Sequence, residues 1–164
     1  MIHKPYSSKK RHLADESQTA LFAQSLAKLS GELEAAPPGL VVYLQGELGA
    51  GKTSFSRAFI QSFLPEQRVK SPTYTLVESY STPNLTIYHF DLYRLCEPEE
   101  LEYIGLRDLL VAPFIALVEW PSKGQGVLPE ADLVLNLNRL GEGREVIAQA
   151  CSERGEALLA KLDA

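Results

Sequence analysis

Leu40-Val41-Val42-Tyr43-Leu44-Gln45-Gly46-Glu47-Leu48-Gly49-Ala50-Gly51-Lys52-Thr53-Ser54 decides the fold of this 164-residue chain. Its first five residues form a continuous apolar, partly β-branched run, the composition of a buried parallel strand. Gly46 to Thr53 then match G-x-x-x-x-G-K-[ST] in full. From Thr53 to Leu64, Phe55, Phe59, Ile60 and Phe63 recur at helical spacing until Pro65 stops the pattern. Strand, glycine loop and helix in that order specify an α/β fold of the phosphate-binding-loop (P-loop) kind.

Each part of the loop suits one task on a chain of phosphates. Gly46, Gly49 and Gly51 let the backbone turn and approach an anion with no Cβ in the way. The N–H groups of the loop, those of Glu47, Leu48 and Ala50 included, and of the helix start through Ser54 point at that anion. Lys52 supplies a compact positive charge for β- and γ-phosphates, and the Thr53 hydroxyl is placed to ligate Mg²⁺. The expected cofactors are therefore ATP or ADP with Mg²⁺. ATP is favoured over GTP because no Asn-Lys-x-Asp segment occurs; Asn136-Leu137-Asn138-Arg139 does not supply one. No compact arginine-rich lid of the kind small-molecule kinases use is visible either.

A phosphate site of this kind needs an acid at the end of a neighbouring strand. Asp91 ends the strand-like run Thr86-Ile87-Tyr88-His89-Phe90, and Glu119 ends Phe114-Ile115-Ala116-Leu117-Val118. Carboxylates at the carboxyl ends of buried strands lie where open α/β sheets bind ligands, although either could simply mark where a strand meets solvent. One acid would serve Mg²⁺; the other would ligate it too or orient the attacking water. Ser71-Pro72-Thr73-Tyr74-Thr75 reads either as a loop that senses the γ-phosphate or as a hydroxyl-rich turn capping the next strand. His89, two residues before Asp91, reads as a packed histidine or one supporting the site from behind. Arg94 and Arg107 are candidate charge stabilisers, with surface ion pairs as the plainer reading.

The rest of the chain sets bounds. Its 45% hydrophobic and 23% charged residues are ordinary for a globular domain. A net charge of −5 argues against binding nucleic acid by neutralising phosphates. Lys4, Lys9, Lys10 and Arg11 make residues 1–12 a locally basic segment, expected to be a flexible tail on a single P-loop domain of residues 13–164. Cys96 and Cys151 stand alone, as reduced cytosolic thiols do. The N-terminus lacks the apolar stretch of a secretory signal. Leu109 to Val118, interrupted by Pro113, is too short to span a bilayer. A cytoplasmic protein with no membrane association is expected.

Asp15 and Gln18 form a capping box opening a helix through Leu21, Phe22, Leu26 and Leu29. A loop from Gly31 to Gly39, with Pro37-Pro38, leads into the first parallel strand. Tyr74 to Tyr80 and Leu85 to Phe90 read as an antiparallel hairpin. An acidic helix start follows at Glu97-Pro98-Glu99-Glu100 and runs to Gly105. Asp132 to Leu137 and Glu145 to Ala150 read as further strands, with Gly141 and Gly143 in the turn between them, and Glu153 to Leu162 as a closing helix. The hairpin breaks strict βαβ alternation, so the sheet is expected to be mixed parallel and antiparallel, flanked by helices.

The P-loop, together with Ser71-Pro72-Thr73-Tyr74-Thr75-Leu76-Val77-Glu78, His89-Phe90-Asp91-Leu92-Tyr93-Arg94-Leu95 and Leu117-Val118-Glu119-Trp120-Pro121, resembles the TsaE family along nearly the whole chain. The basic N-terminus lies outside the shared pattern. The resemblance implies a small Mg²⁺-dependent ATPase of bacterial tRNA threonylcarbamoyladenosine biosynthesis. It would act with the TsaB and TsaD proteins at the adenosine 3′ of the anticodon, meeting tRNA indirectly through them. It also implies MgATP binding by Lys52 and Thr53, and acidic site residues at Asp91 and Glu119. Glu16 near the first helix start and Arg144, in a turn with Gly143, would lie by the nucleotide. Hydrolysis is expected to be slow without partners, because no arginine finger is firmly placed in cis. The residues alone leave two other readings open, a small-molecule kinase and a nucleotide-gated adaptor.

Overall fold

The computed structural model describes residues 6–33, 39–111 and 113–162. Along the chain these form β1 (Ser8–Leu13), α1 (Glu16–Glu32), β2 (Leu40–Gln45), α2 (Lys52–Phe63), β3 (Val77–Ser81) and β4 (Thr86–Asp91). Two short helices follow, α3 (Glu100–Tyr103) and α4 (Leu106–Leu109), then β5 (Phe114–Glu119) and a 3-10 turn at Pro121–Gly124. β6 (Leu133–Leu140), β7 (Gly143–Ala150) and α5 (Glu153–Lys161) complete the order.

The apolar run of β2 is explained by its place. It lies fourth in a seven-stranded sheet of order β1-β7-β6-β2-β5-β4-β3, with parallel neighbours β5 and β6 on both sides. A central strand covered on both faces gains from apolar residues at every position rather than at alternate ones. β4 is also parallel to β5, while β1–β7, β6–β7 and β3–β4 are antiparallel. The sheet is mixed, as the sequence implies.

One face carries α1, α2 and α5. There Val42 and Leu44 of β2 and Leu133, Leu135 and Leu137 of β6 pack under Leu26, Leu158 and Leu159. A file of rings, Phe22, Phe55, Phe59 and Phe63, joins α1 to α2 with successive centroids 6.0, 6.1 and 5.7 Å apart, close enough for tilted aromatic contacts. The other face is covered more thinly, by Leu101 of α3, Leu106 of α4 and Leu92 against Val41, Phe90, Ala116 and Val118. α1 opens as expected: the Asp15 carboxylate accepts from the Gln18 N–H at 3.0 Å, and the Gln18 side chain accepts from the Ala14 N–H at 2.8 Å.

Five expectations need correction. Residues 8–12, read as part of a flexible tail, belong to edge strand β1 instead, paired with β7; Lys4 lies outside the described residues. Their charges are used rather than merely solvated. Lys9 Nζ donates to the Leu159 carbonyl at 2.7 Å, Arg11 donates to the Leu162 carbonyl, and Lys10 lies 3.3 Å from Glu145. Cations at the C-terminal end of α5 complement its dipole and bare carbonyls, and charged side chains also blunt a sheet edge. The hairpin strand begins at Val77 rather than Tyr74, because Leu76 N–H closes a turn onto the Pro72 carbonyl at 2.9 Å and Leu76 takes φ 68°. The acidic helix α3 is shorter than expected, and past Gly105, which takes φ 76°, the additional short helix α4 follows. Gly143 already belongs to β7, leaving Gly141 in the turn. The loop expected at 31–39 is described only at its ends: α1 runs through Glu32, and residues 34–38, with Pro37-Pro38, lie outside the described residues. Among the described residues no helix is long and apolar enough to cross a membrane.

Candidate phosphate-binding cleft

β2 stops at Gln45 and α2 starts at Lys52, so residues 46–51 must turn the chain at the carboxyl edge of the sheet. Gly46 takes φ 145°, and a Cβ there would lie 2.3 Å from the Leu137 carbonyl oxygen of β6. Gly49 differs: at φ 80° a Cβ would meet nothing nearer than an Arg139 nitrogen at 3.9 Å. The first glycine lets the loop pack on the sheet, and Gly49 keeps the loop surface open to the cleft. The loop runs directly into the N-terminus of α2, where N–H groups without intrahelical partners and the helix dipole favour an anion.

Lys52 is only 5% exposed. Its Nζ donates to the Gly46 carbonyl and, at 3.2 Å, to the Glu47 carbonyl, and lies 3.9 Å from the centroid of the Trp120 ring. Burial holds the Lys52 pKa below the ordinary lysine value, while Glu119 and Asp91 push it back up. The indole reaches the ammonium because the chain turns sharply where β5 ends. Trp120 takes the left-handed φ of 58° just before Pro121, and its ring packs on Tyr93 with centroids 5.0 Å apart. A non-glycine residue held in that conformation is strained and needs its surroundings to fix it.

Parallel pairing of β4 and β5 sets Asp91 directly opposite Glu119. Thr53 Oγ1 donates to Glu119 Oε1 at 3.3 Å, which ties the loop to the end of β5. The other Glu119 oxygen, Oε2, lies 2.6 Å from His89 Nε2. Asp91 accepts from the Tyr93 N–H at 3.1 Å. Burial raises the Asp91 pKa above the ordinary carboxylate value; that N–H opposes the shift and Glu119 adds to it.

These groups line one cleft of about 510 Å³. Of the residues expected at the site, it brings together Leu48, Gly49, Gly51, Lys52, Thr53 and Ser54 on one side. Asp91 and Glu119 lie on the other, with Arg144 also in the lining. Gly46 and Glu47 are outside the lining and offer carbonyls to Lys52, and Ala50 is buried. Glu16 is outside the lining and reaches it only through Ser54, whose hydroxyl donates to its carboxylate at 3.3 Å. Ser71 and Thr73 do line the cleft, with their hydroxyl oxygens 2.8 Å apart. Arg94 lines it too, its guanidinium carbon 4.9 Å from the centroid of Tyr74. Arg107 lines a separate surface hollow with Glu102 and Asp108. Sequence reasoning missed Tyr93 and Trp120 as site residues. Their signals were adjacency, Tyr93 two residues after Asp91 and Trp120 one after Glu119, and their place inside two of the motif blocks.

The donor set fits Mg²⁺. Thr53, Glu119 and Asp91 offer hard oxygens only, and Mg²⁺ is commonly held by one or two carboxylates together with substrate phosphates and water. Among the described residues no group of three or more His, Cys, Asp or Glu side chains is placed to hold a metal ion by itself.

A family model described as "Threonylcarbamoyl adenosine biosynthesis protein TsaE" matches residues 13–146. The tRNA threonylcarbamoyladenosine biosynthesis protein TsaE of Haemophilus influenzae is 45% identical over 141 residues, covering 85% of this chain and 89% of its own. The protein of the same name from Bacillus subtilis is 35% identical over 140 residues, covering 85% and 86%. The crystal structure of Bacillus subtilis YdiB is similar with a TM-score of 0.76 and 28% identity, over 99% of this chain and 97% of that one.

Proposed function

The chain belongs to the TsaE family, and from that premise we propose that it is the ATP-binding and hydrolysing component of tRNA threonylcarbamoyladenosine biosynthesis. It works in the cytoplasm with TsaB and TsaD, and meets tRNA through them. The observation that carries the reading is the hydrogen bond from Thr53 to Glu119, which joins the phosphate-binding loop to the acid end of β5 beside Lys52.

In this reading the loop N–H groups and the start of α2 bind the phosphates, and Lys52 adds charge at the β- and γ-positions. Thr53 and Glu119 hold Mg²⁺, which when bound neutralises charge developing on the transferred phosphoryl group. Asp91 supports the metal or orients the attacking water. Ser54 and Arg144 border the nucleotide, and Glu16 bears on it through Ser54. Both cleft arginines are engaged by neighbours, Arg94 by Tyr74 and Arg144 by the Gly143 carbonyl. Turnover by the isolated chain is accordingly slow, and partner proteins supply the missing acceleration.

The test is release of free phosphate from MgATP by the purified chain, alone and with TsaB, TsaD and tRNA. The reading expects a slow basal rate and stimulation of at least about tenfold, since a supplied arginine is worth ~10³–10⁵. Equal rates in both conditions would remove the partner role. Phosphate appearing on a small metabolite instead of in solution would favour a kinase.

A further inference from the structure

His89 has no role in the mechanism above, yet it is fully buried against the carboxylate on which that mechanism depends. Its Nε2 lies 2.6 Å from Glu119 Oε2, and its Nδ1 is buried with no partner. We propose that His89 is the positioning residue of Glu119: it pins Oε2 and leaves Oε1 as the oxygen presented to Thr53 and the cleft. This rests on the nucleotide reading and adds to it the part that fixes the metal-binding carboxylate.

The register supplies the geometry. His89 pairs with Leu117 while Asp91 pairs with Glu119, and alternate residues of a strand share a face. His89 therefore sits diagonally across from Glu119 on the face that also carries Asp91, within reach of a long side chain. For the pin to form, Nε2 carries a proton and donates to the carboxylate oxygen, which can only accept.

The bond to Oε2 is short, at 2.6 Å, and so holds that oxygen closely. Partners that orient metal ligands in this way are typically worth ~10–100-fold in metal affinity.

The experiment compares the parent, His89→Leu and His89→Gln for binding of AMP-PNP, a non-hydrolysable ATP analogue, by calorimetry in EDTA and in Mg²⁺. The Leu variant should match the parent within about twofold in EDTA and lose about tenfold of the Mg²⁺-dependent tightening. The Gln variant, whose amide can still donate to Oε2, should recover most of it. If the Leu variant fails to fold, His89→Asn, whose shorter amide cannot reach Oε2, takes its place with the same expectation. A second readout needs no ligand: nitrogen NMR of the free protein should find a proton on His89 Nε2. Undiminished Mg²⁺-dependent tightening without the imidazole, a Gln variant as impaired as Leu, or an Nε2 without a proton would each overturn the proposal. A parent that does not bind AMP-PNP, or binds it no tighter with Mg²⁺, defeats the nucleotide reading instead, and the Nε2 proton then decides the His89–Glu119 assignment by itself.

Discussion

The two walls of the cleft are built in opposite ways. One wall is a single run of chain, residues 46–54, whose shape comes from glycines and whose attraction for anions comes from main-chain N–H groups and Lys52. The other is assembled from the ends of β4 and β5, and its character lies in the side chains of Asp91, Tyr93, Glu119 and Trp120. The contrast teaches where each wall is vulnerable. A wall of backbone tolerates little added volume, while a wall of carboxylates tolerates volume better than loss of charge. In the proposed function, binding of phosphates falls to the first wall, and dependence on Mg²⁺ falls mainly to the acids of the second, with Thr53 reaching across from the first.

The largest effect should come from Lys52→Ala, which removes the one buried cation of the loop wall. ATP affinity is expected to fall about 10²-fold, near 2.7 kcal/mol, in the range of hydrogen bonds to charged groups. Thermal melting of the ligand-free protein should hardly change, because relief of the buried ammonium's desolvation offsets the loss of its bonds to the Gly46 and Glu47 carbonyls. Collapse of the unliganded fold would instead show that its bonds to the Gly46 and Glu47 carbonyls are structural, and would blur the division between walls.

Gly46→Ala tests whether volume is the weakness of the loop. Its Cβ would fall 2.3 Å from the Leu137 carbonyl oxygen, so urea unfolding should show a loss of roughly 2–3 kcal/mol. Gly49→Ala has open space and only the cost of a left-handed φ, about 1 kcal/mol. Equal stability of the two variants would contradict a sterically determined loop.

Asp91→Asn tests the second wall from the side of stability, with a smaller effect of opposite sign. Burial raises the Asp91 pKa. A carboxyl whose pKa is higher folded than unfolded favours folding while protonated, and that advantage is lost as pH rises from the ordinary carboxylate value through the raised one. At pH 7 the ionised side chain therefore costs stability. The Asn variant should melt about 2 °C higher without ligand, with the gain disappearing below the ordinary carboxylate range, while hydrolysis declines. A lower melting point at pH 7 would mean that the charge is compensated. Glu16→Gln should be the mildest change: its bond to Ser54 is exposed and lies outside the lining, so ATP affinity should move less than about threefold.

The same contrast governs how much could be read from the chain itself. The loop wall is local, and strand, glycines, lysine and helix follow one another within 25 residues, 40–64, each with its own signal. The acids of the far wall were legible as strand ends, because apolar runs stop at Asp91 and Glu119. Their meeting was not legible, since the pairing of 86–91 with 114–119 depends on which strands become neighbours. Trp120 was hidden for a further reason. Its left-handed turn precedes Pro121 and its ring packs on Tyr93 and Lys52, contacts that no periodicity encodes. The basic N-terminus misled for the converse reason. Local charge reads as solvation, whereas Lys9 and Arg11 satisfy carbonyls of α5 at the opposite end of the sequence.

The division of labour between the walls is tested most directly on Glu119→Gln, by calorimetric titration with AMP-PNP in EDTA and again in Mg²⁺. The account predicts parent-like affinity in EDTA, within about twofold, because the loop wall is intact, and a loss of at least about tenfold in the tightening that Mg²⁺ provides. A variant that binds as weakly in EDTA as in Mg²⁺ because both affinities have fallen, or one that keeps the full Mg²⁺ effect, would contradict it.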